Sequence, residues 1–214
     1  YIKGLQGTDD KYLKAIASPK HFVANNVDGD RHFTNSKIDE KILRDYYLPA
    51  FRSSIIDGKA QGLMSAYNAL NGVPCSGNTL LLNDILRGEW GFKGHVVSDC
   101  GAIYNIHANH FFTETPHQGV ALALKSGTDM NCGGEYEKHL YEAYEIGLVS
   151  EVDIDTSLKR ILRSRFLLGM FDHPSLVPYS NIPVDVIDSK KHRLLAKEVA
   201  LESIVLLKNE NNFL

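Results

Sequence analysis

Short apolar runs alternate along the chain with longer stretches of helical period. "AIASPKHFVA" (15–24) is an apolar run closing on Lys20 and His21, and it predicts a strand. After a polar loop, Ser36 with Asp39 three positions on predicts a capping box for a helix reaching Gly58. Ile38, Ile42, Tyr46 and Ile56 form its apolar face and Pro49 kinks it. "GLMSAYNAL" (62–70) predicts a second strand, "NGVPCSGN" a loop, and "TLLLNDILRGEW" (79–90) a helix. "GHVVSDCGA" is a third strand, and a helix over 117–126 leads to a fourth, short strand in "GTDMNCGG" (127–134). Helices follow at 135–147 and at Ser150 to Leu168, the latter stopped by Gly169. Residues 171–188 carry Pro174, Pro178 and Pro183 and no period. They predict a linker, beyond which Ser189 caps a last helix and "SIVLLK" (203–208) predicts another strand.

Strand–helix alternation of this kind predicts a parallel sheet covered by helices, either half of a (β/α)8 barrel or part of an open doubly wound sheet. In both, active sites form where the strands end. Lys20 and His21, Tyr67 and Asn68, Asp99, and Asp129 with Asn131 are expected at such ends. Taken singly, each has an ordinary explanation: an Asp there caps a helix or forms a turn, and a Tyr-Asn pair can be core and turn. Taken together, they predict a polar rim.

Composition narrows the partners. Of 214 residues, 43% are hydrophobic, and 23 basic and 26 acidic residues are interspersed to a net charge of −3. That excludes the basic footprint of a nucleic-acid binder, and no apolar stretch reaches the ~18 residues of a membrane span. There is no G-x-G-x-x-G and no Walker-type Gly-Lys-Ser/Thr, so a nucleotide is not indicated, and Gly133-Gly134 alone is a weak phosphate signal. A rim of carboxylates, amides, Lys, Arg and His suits a polyhydroxylated ligand, whose hydroxyls donate and accept together. A Lys at a strand end also raises a Schiff-base aldolase using Lys20, although His21 and Arg31 make a charged pocket rather than the apolar one such a lysine needs. The three cysteines lack CxxC spacing and leave one bridge or three thiols open.

"KHFVANNVDGDRHF", "GLMSAYNALNGVPCSGN", "GHVVSDCGA", "SGTDMNCGG" and "ESIVLLKNENNFL", in this order, resemble glycoside hydrolase family 3. The resemblance implies the C-terminal half of a (β/α)8 TIM-like barrel over 1–170, a linker over 171–188, and over 189–214 the first helix and strand of an α/β sandwich domain. Both ends then read as cut from a longer chain. It makes Asp99 the catalytic nucleophile, at the end of the seventh barrel strand. Lys20, His21 and Arg31 would bind the sugar hydroxyls, Met64 would line the pocket, and Tyr67 would stand beside the nucleophile. The implied activity is that of a retaining exo-β-glycosidase acting on a small oligosaccharide or aryl β-glycoside, with no metal or cofactor. Asp99 would attack the anomeric carbon, and a carboxylate about 5–5.5 Å away would serve as acid and base. Lys20 and Arg31 would favour the ionised Asp99.

That acid/base glutamate belongs to the family's second domain, beyond what this segment holds, so the segment alone is expected to be inactive. Val23-Ala24-Asn25-Asn26 replaces the Gly-His-Gly loop of the family's β-N-acetylhexosaminidases. Cys100 replaces the tryptophan that follows the nucleophile in many β-glucosidases. With Cys132, it ranks β-xylosidase first and β-glucosidase second. Cys100 and Cys132 then follow neighbouring strands, where a bridge between them is an alternative to three buried thiols. The resemblance implies a secreted or periplasmic setting, and a second copy or the rest of the chain over the open barrel edge. The rival from another class is a carbohydrate-binding barrel that has lost catalysis.

Overall fold

A computed structural model describes residues 1–212, and the chain divides into two compact units, Tyr1–His173 and Pro174–Leu214. In the first unit, α1 (Ile2–Gln6) precedes an extended segment, a loop, and the short strand β1 (Asn35–Ser36). Helix α2 (Glu40–Ile42) passes through a π-helical turn at Leu43–Tyr47 into α3 (Pro49–Ile56). Then come β2 (Gly62–Ser65), β3 (Ala69–Leu70), β4 (Val73–Pro74), the π-helical α4 (Leu80–Glu89) and β5 (His95–Ser98). Four helices complete the unit: α5 (Ala102–Ala108), α6 (Pro116–Ser126), α7 (Glu135–Glu145) and α8 (Glu151–Leu167).

β2 and β5 pair in parallel, Gly62 opposite His95 and Ser65 opposite Ser98. Phe22 bridges the far side of β2 at Ser65, and Met130 bridges the far side of β5 at Val97, both in parallel. Four consecutive chain segments therefore lie side by side in one parallel array, an α/β arrangement with helices in every connection. The expected strand over 15–24 is present as pairing rather than as a regular ladder. Gly62 N–H donates to Ala17 O, Met64 N–H to Pro19 O and Phe22 N–H to Met64 O, and the peptide bonds Lys20–His21 and Phe22–Val23 are cis. The fourth strand shrinks to the bridge at Met130.

One side of the array is sealed by apolar packing. Phe22, Leu63 and Val96 join Leu81, Leu82, Ile85 and Leu86 of α4 in one buried cluster, and Phe22 meets Phe51 and Trp90 edge-on at 5.0 and 5.9 Å. Fully burying side chains of this size contributes about 1.5–3 kcal/mol each, so this layer fixes the strands.

Several elements differ from expectation for identifiable reasons. The first long helix is capped by Asp39, whose side chain accepts from Ile42 N–H; Ser36 lies in β1 and donates to Ala24 O instead. Pro49 has no N–H, and the helix before it widens so that Leu48 N–H reaches back to Leu43 O. The extra residue per turn rotates the face. Leu43, Leu48 and Ile55 are buried, while Ile42 and Tyr46, predicted inward, are exposed. The expected strand 62–70 ends at Ser65. Its remainder forms a β3–β4 hairpin around Asn71-Gly72, both at positive φ (50° and 91°), the geometry of a two-residue hairpin turn. Helix α5 has no expected counterpart. In the second unit, Ser189 caps α9 (Lys190–Ser203) as predicted, but residues 204–208 form no strand: among the described residues none pairs with them, and an apolar run without a ladder partner has no strand to join. No helix among the described residues is long and apolar enough to cross a membrane.

Candidate active site

Asp99 is the first residue after β5. Its N–H donates to Ser65 O, and its carbonyl accepts from Ala102 N–H at the start of α5. The turn requires Gly101 at φ 84°, a conformation that side-chain-bearing residues resist. Asp99 as a whole is 6% exposed. Oδ1 accepts from Cys100 N–H at 2.8 Å, which sets the plane of the group. Oδ2 lies 3.0 Å from His21 Nε2, yet has no donor aligned on it. One oxygen is thus clamped and the other is buried but uncommitted.

The sequence-predicted residues gather unevenly around it. His21 is in direct contact. Met64 of β2 is paired with Val97 and shares its face of the array, the face that carries Asp99 two residues after Val97. Tyr67 follows β2 and is half-buried. Burial and then the Asp99 charge push its phenol pKa up, and Arg31 works the other way. The Arg31 guanidinium is 5.4 Å from the Tyr67 ring centroid, but its hydrogen bonds go to Asp28 O and Oδ1 at 2.8 and 3.1 Å. Lys20 is exposed, with no hydrogen bond or ion pair among the described residues. Of the three basic residues expected near the Asp99 carboxylate, His21 is the one in contact with it, while Lys20 and Arg31 form no ion pair with it.

Two rim assignments are corrected. Val97 opposite Met130 puts Asp129 on the other face, toward the helices. There its side chain is fully buried, receiving Arg87 Nη2 of α4 at 2.7 Å, Arg160 Nη1 of α8 at 2.8 Å and Val96 N–H at 2.8 Å. This is an internal brace that ties two helices to β5. Asn68 is also fully buried and donates to Val23 O and Ala69 O, holding loops rather than facing a rim. Asn131 stays near the strand ends, donating to Ser98 Oγ.

Cys100 and Cys132 form a disulfide, with Cα atoms 4.3 Å apart, so the thiol alternative does not hold for them. Cys75 is free and buried, and burial pushes its thiol up to about 12. The bridge joins the residue after Asp99 to the loop after the fourth segment, where Gly101 N–H also donates to Cys132 O and Cys132 N–H to Ser98 Oγ.

Sequence reasoning missed three residues behind Tyr67. His32 packs against the Tyr67 ring with centroids 4.5 Å apart, Asn105 of α5 pairs with His32 at 3.0 Å, and His110 Nε2 donates to Tyr67 O at 2.8 Å. His32 stands in the motif "DRHF"; Asn105 and Asn109, one helical turn apart, mark the face of α5 that was not anticipated. The groove of about 500 Å³ lined by Tyr136, Leu140, Tyr141, Tyr144 and Ile154 is framed by α7 and α8 and contains none of these residues. Among the described residues no group of three or more His, Cys, Asp or Glu is placed to hold a metal ion.

The sequence model described as "Glycosyl hydrolase family 3 N terminal domain" matches residues 1–164. The chain is 41% identical to a xylan 1,4-beta-xylosidase of Xylanibacter ruminicola and 38% identical to a probable beta-D-xylosidase of Arabidopsis thaliana. These matches cover 100% and 98% of this chain but 25% and 29% of those relatives. Among solved structures it is similar to a family 3 exo-β-xylosidase bound to a xylobiose aziridine probe (TM-score 0.93, 35% identity, 100% of this chain, 28% of the other). It is also similar to a β-glucosidase from Erythrobacter marinus (TM-score 0.88, 35% identity, 99% and 28%). The chain thus spans little more than a quarter of these proteins.

Proposed function

The chain belongs to glycoside hydrolase family 3, and from that premise we infer that it carries the nucleophile of a retaining exo-β-glycosidase, Asp99, with terminal β-D-xylose as the preferred sugar and β-D-glucose second. The observation that carries the reading is the asymmetry of the carboxylate. Cys100 N–H fixes Oδ1, while Oδ2 is buried, beside His21 and without an aligned donor, so its lone pairs remain available to an anomeric carbon. Attack by Oδ2 forms the glycosyl–aspartate ester as the bond to the leaving oxygen breaks. That oxygen takes its proton from an acid supplied outside this chain, and the same group, now a base, activates the water that cleaves the ester. His21, Arg31 and Lys20 would bind hydroxyls of the sugar, Met64 its apolar edge, and Tyr67 would orient Asp99.

The four parallel segments fit the C-terminal half of an eight-stranded barrel, with α9 opening a second domain. On this reading residues 1–170 belong to the barrel and 189–214 to that domain. The names of the relatives favour xylosides, as does Cys100, bonded to Cys132, in the place of a tryptophan after the nucleophile. A disulfide also fits an oxidising compartment. A Schiff-base role for Lys20 draws no support from its exposed surroundings, since such lysines are activated by desolvation. A binding-only barrel gains nothing from an uncommitted buried carboxylate.

The test is to treat the full-length protein with 2-fluoro xyloside and 2-fluoro glucoside and map the labelled peptide. The label is expected on Asp99 and faster from the xyloside; active protein with an unlabelled Asp99 refutes the assignment. The 214 residues alone are expected to release almost no nitrophenol from a nitrophenyl β-xyloside.

A further inference from the structure

We propose that His32 is a positioning residue for Tyr67, held in that role by Asn105; the inference rests on Asp99 being the nucleophile. The argument begins one helical turn away. Asn109 Nδ2 donates to Asn105 Oδ1 at 2.7 Å, which commits the amide oxygen and turns Asn105 Nδ2 toward His32 Nδ1 at 3.0 Å. An amide NH2 only donates, so His32 Nδ1 must accept, and the ring proton sits on Nε2. Asn105 is 2% exposed, and a buried amide of this kind stays where its bonds place it.

The consequence is a fixed plane for the His32 ring, and that ring is packed on Tyr67 with centroids 4.5 Å apart and planes at 60°. His110 Nε2 holds the Tyr67 carbonyl, and Arg31 stands 5.4 Å from the ring. Tyr67 is therefore gripped at its backbone by one residue and along its ring by two, and its phenol feels the Asp99 charge. The brace and the nucleophile share a support as well. Asn105 rises from α5, whose first turn is joined to Asp99 by the Ala102 N–H bond to the Asp99 carbonyl. Helix α5 thus supports the brace behind Tyr67 and the turn that bears Asp99 together. Nothing in this circuit needs His32 to touch substrate.

A histidine that merely fills space would affect folding and leave the chemistry alone. The deciding experiment measures inactivation of the full-length protein by the 2-fluoro xyloside, separating the maximal rate from the half-saturating concentration. His32→Ala is expected to lower the maximal rate about ten-fold, with the half-saturating concentration changed by no more than about twofold. Asn105→Ala should give a smaller loss, and the double variant should match His32→Ala because the two act as one unit. His32→Phe keeps a ring against Tyr67 and should recover part of the rate; it also serves if His32→Ala unfolds. Wild-type rates in the variants, a loss confined to the half-saturating concentration, or multiplying losses in the double variant would each overturn the proposal. Failure of the wild type to label at Asp99 would instead remove the underlying assignment, and with it this inference.

Discussion

His21 Nε2 stands 3.0 Å from Asp99 Oδ2, off the line of a hydrogen bond, so this contact does not tie the uncommitted oxygen down. The contact is made across β2, which lies between the segment bearing His21 and the strand bearing Asp99.

Two substitutions separate these roles in the full-length protein. Asp99→Asn should abolish labelling by the 2-fluoro xyloside and lower turnover about 10³-fold or more, because the step it performs has no substitute. His21→Ala should cost about 10²-fold in labelling rate through lost placement of sugar and carboxylate. Rate constants from burst and steady-state measurements check both.

Asp129, by contrast, should matter to stability. Its carboxylate is wholly buried between Arg87 and Arg160, and removing it strands two cations, of which Arg87 is the more buried. Asp129→Asn is expected to destabilise the protein by about 3–5 kcal/mol, read from the denaturant midpoint. Full-length protein that remains folded should keep the half-saturating concentration of the 2-fluoro xyloside.

The protein should lose stability on mild acidification. Burial is the leading cause that pushes His95, His107 and His110 below the ordinary histidine value, so the folded chain keeps them neutral where the unfolded chain takes up protons. Their contribution is complete above the unfolded pKa of about 6.5 and is lost as pH falls from there toward the folded values; each such proton removes up to about 1.4 kcal/mol per pH unit. Denaturation midpoints at pH 7.5, 6.5 and 5.5 should fall in that order. His95→Gln, whose side chain can still reach Ser164 Oγ, should flatten the dependence.

Thiol alkylation in denaturant without reductant should add a single label to this chain, at Cys75, and reduction should expose Cys100 and Cys132 as well. Cross-linking residues 32 positions apart stabilises by about 3–4 kcal/mol through the unfolded chain, so the reduced protein should melt earlier. Three labels before reduction would contradict the bridge.

The periods of apolar residues were enough to place most helices, the central strands and the Asp99 strand end, because each depends on neighbours within one or two turns of chain. The five motifs were enough to identify the family. Local period could not tell Asp99 from Asp129: both lie in segments predicted as strands, and which face each side chain takes depends on strand register, which Val97 opposite Met130 decides. Nor could it reveal the widened turn before Pro49, where a missing N–H reset the buried face, or that the run 203–208, expected as a strand, finds no ladder partner among the described residues. The bond between Cys100 and Cys132, the contact of His21 with Asp99, and the brace of His32 and Asn105 behind Tyr67 join residues distant in the chain. Only packing brings them within bonding distance, so the sequence by itself determined the family and the candidate residues, and the tertiary structure decided which of those candidates face one another.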